Sequence, residues 1–434
     1  MADPRDRASA VADPPANADL GESTQKNIAW RLLPLFALGF GVALMDRNNI
    51  GFAALQMNRE LHFSASIYGF GAGLFSIGYA LFEIPSNLVL YRFGARRWIA
   101  RILLTWGLLA MAMMFVRTPS QFYAMRFALG VAEAGFFPGV VFYMLQWFPD
   151  NLRARAISRF YVAAPLVAIA NGLLAGPLMS LQGRLGLRGW QWLFLLEGLP
   201  AVLLSALFLF QLPDSPDEAE WLTSAERAWL KARLTADIRT ETHLEDTWRA
   251  LQDKRIWLLG LLSFCLLTCI YAYNFTAPII LRGVTGFSIA SLGVLMAVNG
   301  VLGVVSMTVN ATHSDHTRER RWHLLVPLLV MAAAFLVTGS TRDPSWVVPA
   351  FAVAITGFYA TQGIFCAIPG SFLRGKSAAA GIALVTSMGI LGGFAGPAWI
   401  GWMKDATGSY QLGLMTLAIP CLTGVAIVYS LRDR

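Results

Sequence analysis

Residues 41–54 read GVALMDRNNIGFAA. The segment begins and ends as an apolar helix of small residues, yet it sets Asp46 beside Arg47 at its centre. A hydrocarbon core is crossed by about 20 apolar residues in a helix. Ionisable groups inside such a helix are costly enough to mark function by default. The stretch therefore predicts a membrane-spanning helix that carries a charged task, and the rest of the chain can be tested against that reading.

Composition agrees. The chain has 434 residues, of which 56% are hydrophobic and only 14% charged, and its mean hydropathy is +0.54. A soluble domain is about 45–50% apolar and about 25% charged. The chain is thus an all-α integral membrane protein. Twelve apolar stretches are long enough to span, at roughly 28–52, 66–90, 98–116, 121–145, 156–180, 190–211, 256–281, 288–310, 322–340, 346–370, 377–402 and 410–431. The first 25 residues are polar and rich in Ala, Asp and Pro, and read as a disordered tail. One long polar connection, residues 212–255, divides the chain into six-helix bundles at 26–211 and 256–434. Within it Thr223 and Glu226 have the spacing of a capping box, which predicts a short surface helix.

Charge position excludes other classes. The net charge of +8 invites a nucleic-acid reading, but the basic residues collect in alternate connections between spans. Arg92, Arg96, Arg97 and Arg101 mark one, Arg153, Arg155 and Arg159 another, then the linker, then Arg318, Arg320 and Arg321, then Arg374 and Lys376. Opposite connections carry Arg59, Arg117, Arg282 and Arg342 singly and only Arg184 with Arg188 as a pair. By the positive-inside rule the linker and both termini face the cytoplasm. The four cysteines lie in apolar runs without His or carboxylate neighbours, so neither a disulfide framework nor a metal site is expected.

The two halves repeat each other. GLLAGP (172–177) and GGFAGP (392–397) share a G-x-x-x-G-P ending, and the basic turns RFGARR (92–97) and SDHTRERR (314–321) each fall between the second and third spans of their half. Small residues four apart let helices approach closely. Parallel repeated halves around a midplane site are the plan of a rocking transporter.

Inside the spans the ionisable residues are confined to the first half: Asp46, Arg47, Glu83, Arg126, Glu133 and Glu197. Asp46 lies about 18 residues into the first span, roughly 27 Å at 1.5 Å per residue. Arg126 and Glu133 are two turns apart and share a helix face. An arginine keeps its charge and its fork matches a carboxylate, so Arg47 and Arg126 are read as substrate ligands for an anion. Burial disfavours a charged carboxylate and a neighbouring guanidinium favours it. Asp46 and Glu133 are therefore read as proton sites whose protonation frees the arginines. The plainer alternatives are an interfacial helix end for Asp46–Arg47 and a structural pair for Arg126–Glu133. Glu83 and Glu197 read as gate or packing contacts. Tyr79, and Tyr271, Tyr273 and Asn274 in YAYNF (271–275), complete the pocket candidates.

Several stretches carry a family likeness: LMDRNNIGFAALQMNREL, FEIPSNLVLYRFGARRWIARI, RFALGVAEAGFFPGVVFYMLQWFP, GWQWLFLLEGLPA and GPAWIGWMKDATGSY. From about 28 to 430 the chain resembles the anion:cation symporter branch of the major facilitator superfamily. That branch includes bacterial permeases for phthalate, tartrate, 4-hydroxyphenylacetate, hexuronates and galactonate, with sialin and the vesicular glutamate transporters among its animal members. The resemblance implies twelve helices, alternating access, a bacterial inner-membrane location and proton-coupled uptake of organic anions by a monomer, with no cofactor other than the coupling proton. It further implies proton sites at Asp46 and Glu133, substrate and coupling roles for Arg47 and Arg126, and a pocket position for Tyr79.

The chain also departs from the pattern. Tyr91 stands where the basic turn usually has an acid, while Asp315 keeps the acid in the second half. Cys366 stands where sugar-acid relatives have tryptophan, Thr386 and Ile390 where they have asparagines, and no glutamine lies near Ala164 and Pro165. A polyhydroxylated acid needs its hydroxyls paired, at about 1 kcal/mol each. The departures therefore favour an aromatic carboxylate or dicarboxylate, such as phthalate or a hydroxyphenylacetate, over tartrate or a sugar acid. Ile390 joins Tyr79, Asn274, Gln362 and Ser387 in the expected pocket. A proton-driven exporter of amphiphiles is the rival on the same fold, and paired arginines argue against it for lipophilic cations. A membrane sensor would need a signalling domain, and a membrane enzyme lacks G-x-S-x-G, H-E-x-x-H and Walker motifs.

Overall fold

The computed structural model describes residues 15–149, 152, 156, 163–238, 253–365, 368 and 375–431. The described residues form spanning helices joined by short turns. These are α1 (Asp19–Glu60), α2 (Ala65–Phe93), α3 (Ala95–Phe115) and α4 (Pro119–Leu145), α5 (Ala163–Met179), α6 (Gly189–Gln211), α7 (Lys254–Thr285), α8 (Ile289–Thr317), α9 (Trp322–Ser340) and α10 (Pro344–Phe365), α11 (Gly375–Thr407) and α12 (Tyr410–Ser430). Eleven are long and apolar enough to cross a membrane. The other, α5, begins amid residues outside the described set.

The linker helix runs Ser224–Ile238. Its capping box forms as the spacing predicts: Thr223 N–H donates to Glu226 Oε2 at 2.8 Å, and Glu226 N–H donates to Thr223 Oγ1 at 3.2 Å. The expectation of a disordered tail to residue 25 is corrected, because the chain is helical from Pro15. Gly21 lies against the Trp229 ring of the linker helix, and Thr24 and Gln25 are buried. The linker's apolar edge gives the polar segment a surface to pack on. Residues 1–14 lie outside the described residues, as do Arg153, Arg155, Arg159 and Arg374.

Two apolar cores result. One fills the amino-terminal half around Phe36, Trp106 and Tyr143. The other fills the carboxy-terminal half and continues into Ile50, Tyr68, Phe122 and Trp190 at the ends of α1, α2, α4 and α6 opposite the linker. The halves are thus knit together on the face away from the linker. Backbone meets backbone there. A Cβ on Gly172 of α5 would strike the Gly293 carbonyl of α8, and one on Gly69 of α2 would strike the Pro397 carbonyl of α11. Both repeated G-x-x-x-G-P segments therefore sit in seams between the halves, which explains their small residues. Asp405 adds a polar clasp, accepting from the Ser66 N–H at 2.8 Å and the Ala65 N–H at 3.2 Å. A carboxylate at a helix N-terminus satisfies free donors and complements the helix dipole.

The charged helices are both interrupted at their charges. α1 turns at Asn49, just past Asp46 and Arg47. α4 breaks at Ala134 and Gly135 directly after Glu133, with Gly135 left-handed at φ 88°. Kinks in buried helices have local causes, and here the left-handed backbone requires glycine.

Candidate functional site

A cavity of about 200 Å³ lies between the halves, bounded by α1, α5, α7, α8 and α10. Among its described lining residues Arg47 is the only charged side chain. Tyr271, Tyr273, Asn274 and Gln362 line it as expected, together with Asn48, Asn171, Asn299 and Tyr359. A wider cleft of about 570 Å³ between Ser314, Arg321 and Leu431 lies on the linker face of the carboxy-terminal half and shares no residue with it.

Arg47 is held from both halves. One guanidinium nitrogen is ion-paired to Glu133, and Nη1 donates to the Tyr271 hydroxyl at 3.1 Å. Its charge also lies over two rings, 4.9 Å from the centroid of Phe75 and 5.1 Å from that of Tyr79. A desolvated guanidinium over an aromatic face gains about 2 kcal/mol or more. Arg126, 1% exposed, reaches the other side of this group. Its Nη2 donates to the Ala72 carbonyl at 3.0 Å, and its charge sits 5.2 Å from Phe75 and 5.9 Å from Phe275. Phe75 is thus shared by both arginines.

Glu133 is 2% exposed and one of its oxygens has no hydrogen-bond partner. Asp46, also 2% exposed, turns away from the cavity. It accepts a 2.7 Å hydrogen bond from Trp106 Nε1 on α3, and Glu197 lies within its electrostatic reach. The Glu197 carboxylate faces the Asn49 side chain. A buried carboxylate with so few donors is expensive to keep charged.

The expectation that four charged groups would ring one chamber is therefore corrected. Arg47 borders the cavity, Glu133 stands directly behind it, Arg126 sits a ring further back, and Asp46 turns to Trp106 with Glu197, Glu133 and Arg126 within electrostatic reach. Tyr79 is packed in the amino-terminal core and touches the site through Arg47. Ser387 and Ile390 are absent from the cavity wall, and Ile390 packs against the amino-terminal core. Thr386 is exposed. Cys366 lies outside the described residues. Sequence reasoning missed Phe75, Trp106, Asn171 and Asn299. The last two carried a usable signal, since an amide amid an apolar span asks for a partner.

A multi-pass helical protein with two repeated halves and a cavity between them has the architecture of a transporter. The family model described as Major Facilitator Superfamily matches residues 36–397, and the chain belongs to that superfamily. A protein of Agrobacterium vitis, provisionally named a tartrate transporter, is 42% identical over 401 residues, covering 92% of this chain and 89% of its own. The quinolone resistance transporter of Acinetobacter baumannii is 40% identical over 413 residues, covering 95% of each chain. Among solved structures, a bacterial homologue of the human lysosomal transporter Spinster, inward-facing and unoccupied, superposes with a TM-score of 0.75 at 17% identity, covering 94% of this chain and 96% of that one.

Proposed function

We propose that this protein is a proton-coupled symporter that imports an organic carboxylate by alternating access across the bacterial inner membrane. The observation that carries the reading is an arginine of the cavity wall and its partner: Arg47 is the one charged residue among the described lining residues, and its ion-pair partner is the buried Glu133. While Glu133 is ionised it occupies the guanidinium. A proton on Glu133 weakens that pair and leaves Arg47 free to take a carboxylate, so proton and anion bind together. Asp46 is proposed as a second proton site that acts without touching the anion. The positive-inside pattern puts the linker in the cytoplasm, and the seam on the opposite face then makes this an inward-facing state.

The substrate class is drawn from the wall. The sequence departures favour an aromatic carboxylate such as phthalate or a hydroxyphenylacetate. Thr386 and Ile390, however, stand away from the cavity and so do not shape it. The amide-rich wall and the name of the Agrobacterium vitis relative support a hydroxylated acid such as tartrate. Export is the second reading, supported by the name of the Acinetobacter baumannii relative. Proteoliposome flux under an imposed pH gradient separates them. Accumulation of a carboxylate against its gradient, driven by acid on the face opposite the linker, is expected. Uptake indifferent to the pH gradient would falsify proton coupling, and pumping in the opposite sense selects export.

A further inference from the structure

Asn171 of α5 and Asn299 of α8 come from different halves and border one cavity. Asn171 precedes Gly172, which packs on Gly293 and Ala297 of α8, and Asn299 follows Ala297 by half a turn. Both side chains border the cavity, and both are more than nine-tenths buried, at 4% and 2% exposure. The Asn299 amide is fixed by donating from Nδ2 to the Tyr273 hydroxyl at 3.0 Å. Each residue nonetheless leaves its amide oxygen buried without a donor.

Two buried acceptors without partners on one cavity wall are costly, since each unmet acceptor is a desolvated polar group. A carboxylate cannot relieve them, because an ionised carboxylate only accepts hydrogen bonds. A hydroxyl or N–H group can. We propose that Asn171 and Asn299 form a donor-reading subsite, separate from the Arg47 anchor, that selects carboxylates bearing hydroxyl groups over the same carbon skeletons without them. The inference rests on the organic-anion reading above and narrows it: Arg47 takes the charge, and the asparagine pair takes the O–H. The two asparagines come from different halves, so a substrate that meets both touches both halves.

The test is titration calorimetry on the purified full-length protein at fixed pH with two matched pairs, tartrate against succinate and 4-hydroxyphenylacetate against phenylacetate. For at least one pair the hydroxylated member is expected to bind about tenfold more tightly, equivalent to roughly 1.4 kcal/mol. Asn171→Leu and Asn299→Leu are each expected to cut that preference to about twofold or less, by weakening the hydroxylated member more than the unhydroxylated one. Wild-type protein that binds both members of each pair equally overturns the subsite and leaves the anion reading standing, and this arm needs no folded variant. Variants that keep the full preference also overturn it. Failure of every carboxylate to bind overturns the subsite together with the anion reading.

Discussion

The two halves share a fold but divide the chemistry. The amino-terminal half holds Asp46, Arg47, Arg126, Glu133 and Glu197 within its spans. The carboxy-terminal half meets the cavity with Tyr271, Tyr273, Asn274, Asn299, Tyr359 and Gln362, none of them charged. The buried acids and guanidiniums belong to one side, and uncharged hydrogen-bonding groups to the other. The division has an electrostatic rationale. Interactions between ionisable groups strengthen as the surroundings become less polar, so acids and guanidiniums kept within one bundle would hold their mutual distances under the alternating-access cycle proposed above. The other half can then approach and withdraw without carrying a charge through lipid.

Attacking the charged half should have the largest effects. Glu133→Gln is expected to abolish pH-driven accumulation in proteoliposomes while substrate exchange persists, and full accumulation by that variant would remove Glu133 from the coupling step. Arg47→Ala is next. A charge-assisted hydrogen bond contributes about 1.5–3 kcal/mol, so carboxylate binding should weaken roughly 10- to 100-fold, with neutral analogues little changed. Arg126→Ala, one ring behind the cavity, should weaken it less, and equal losses for the two would return Arg126 to the wall. Crossing to the uncharged half, Tyr271→Phe deletes the hydroxyl that Arg47 meets and is expected to cost about 1 kcal/mol, roughly fivefold in affinity. The smallest effect on selectivity belongs to Ile390→Asn. Ile390 packs on the amino-terminal core, so the substrate profile should stay the same while thermal stability falls. A shift toward polyhydroxylated acids would put that side chain back in the pocket.

Much of the fold was legible because lipid imposes a strict code. Span lengths, the polar linker with its capping box and the paired G-x-x-x-G-P segments all follow from hydrocarbon thickness, capping geometry and close packing. The site was legible in its residue types and less so in its directions. Asp46 and Arg47 are neighbours, and successive side chains on a helix diverge by about 100°. Here Arg47 faces the cavity, and that divergence turns Asp46 toward Trp106. Arg126 and Glu133, two turns apart, do share a side, as the spacing requires. Phe75 and Trp106 were illegible for a different reason: an aromatic residue in an apolar span looks the same whether it meets lipid, core or guanidinium. Ile390 misled because similarity to a family pattern fixes a place on α11 but not the neighbour that side chain meets.

The glycine contacts between α5 and α8 have a mechanical corollary. Where Gly172 meets Gly293 the contact is backbone on backbone, so no long side chain has to find a rotamer at that point. The same economy makes it intolerant. A single methyl at Gly172 would act as a doorstop, biasing the population toward the other access state without touching a charge, a proton or the substrate.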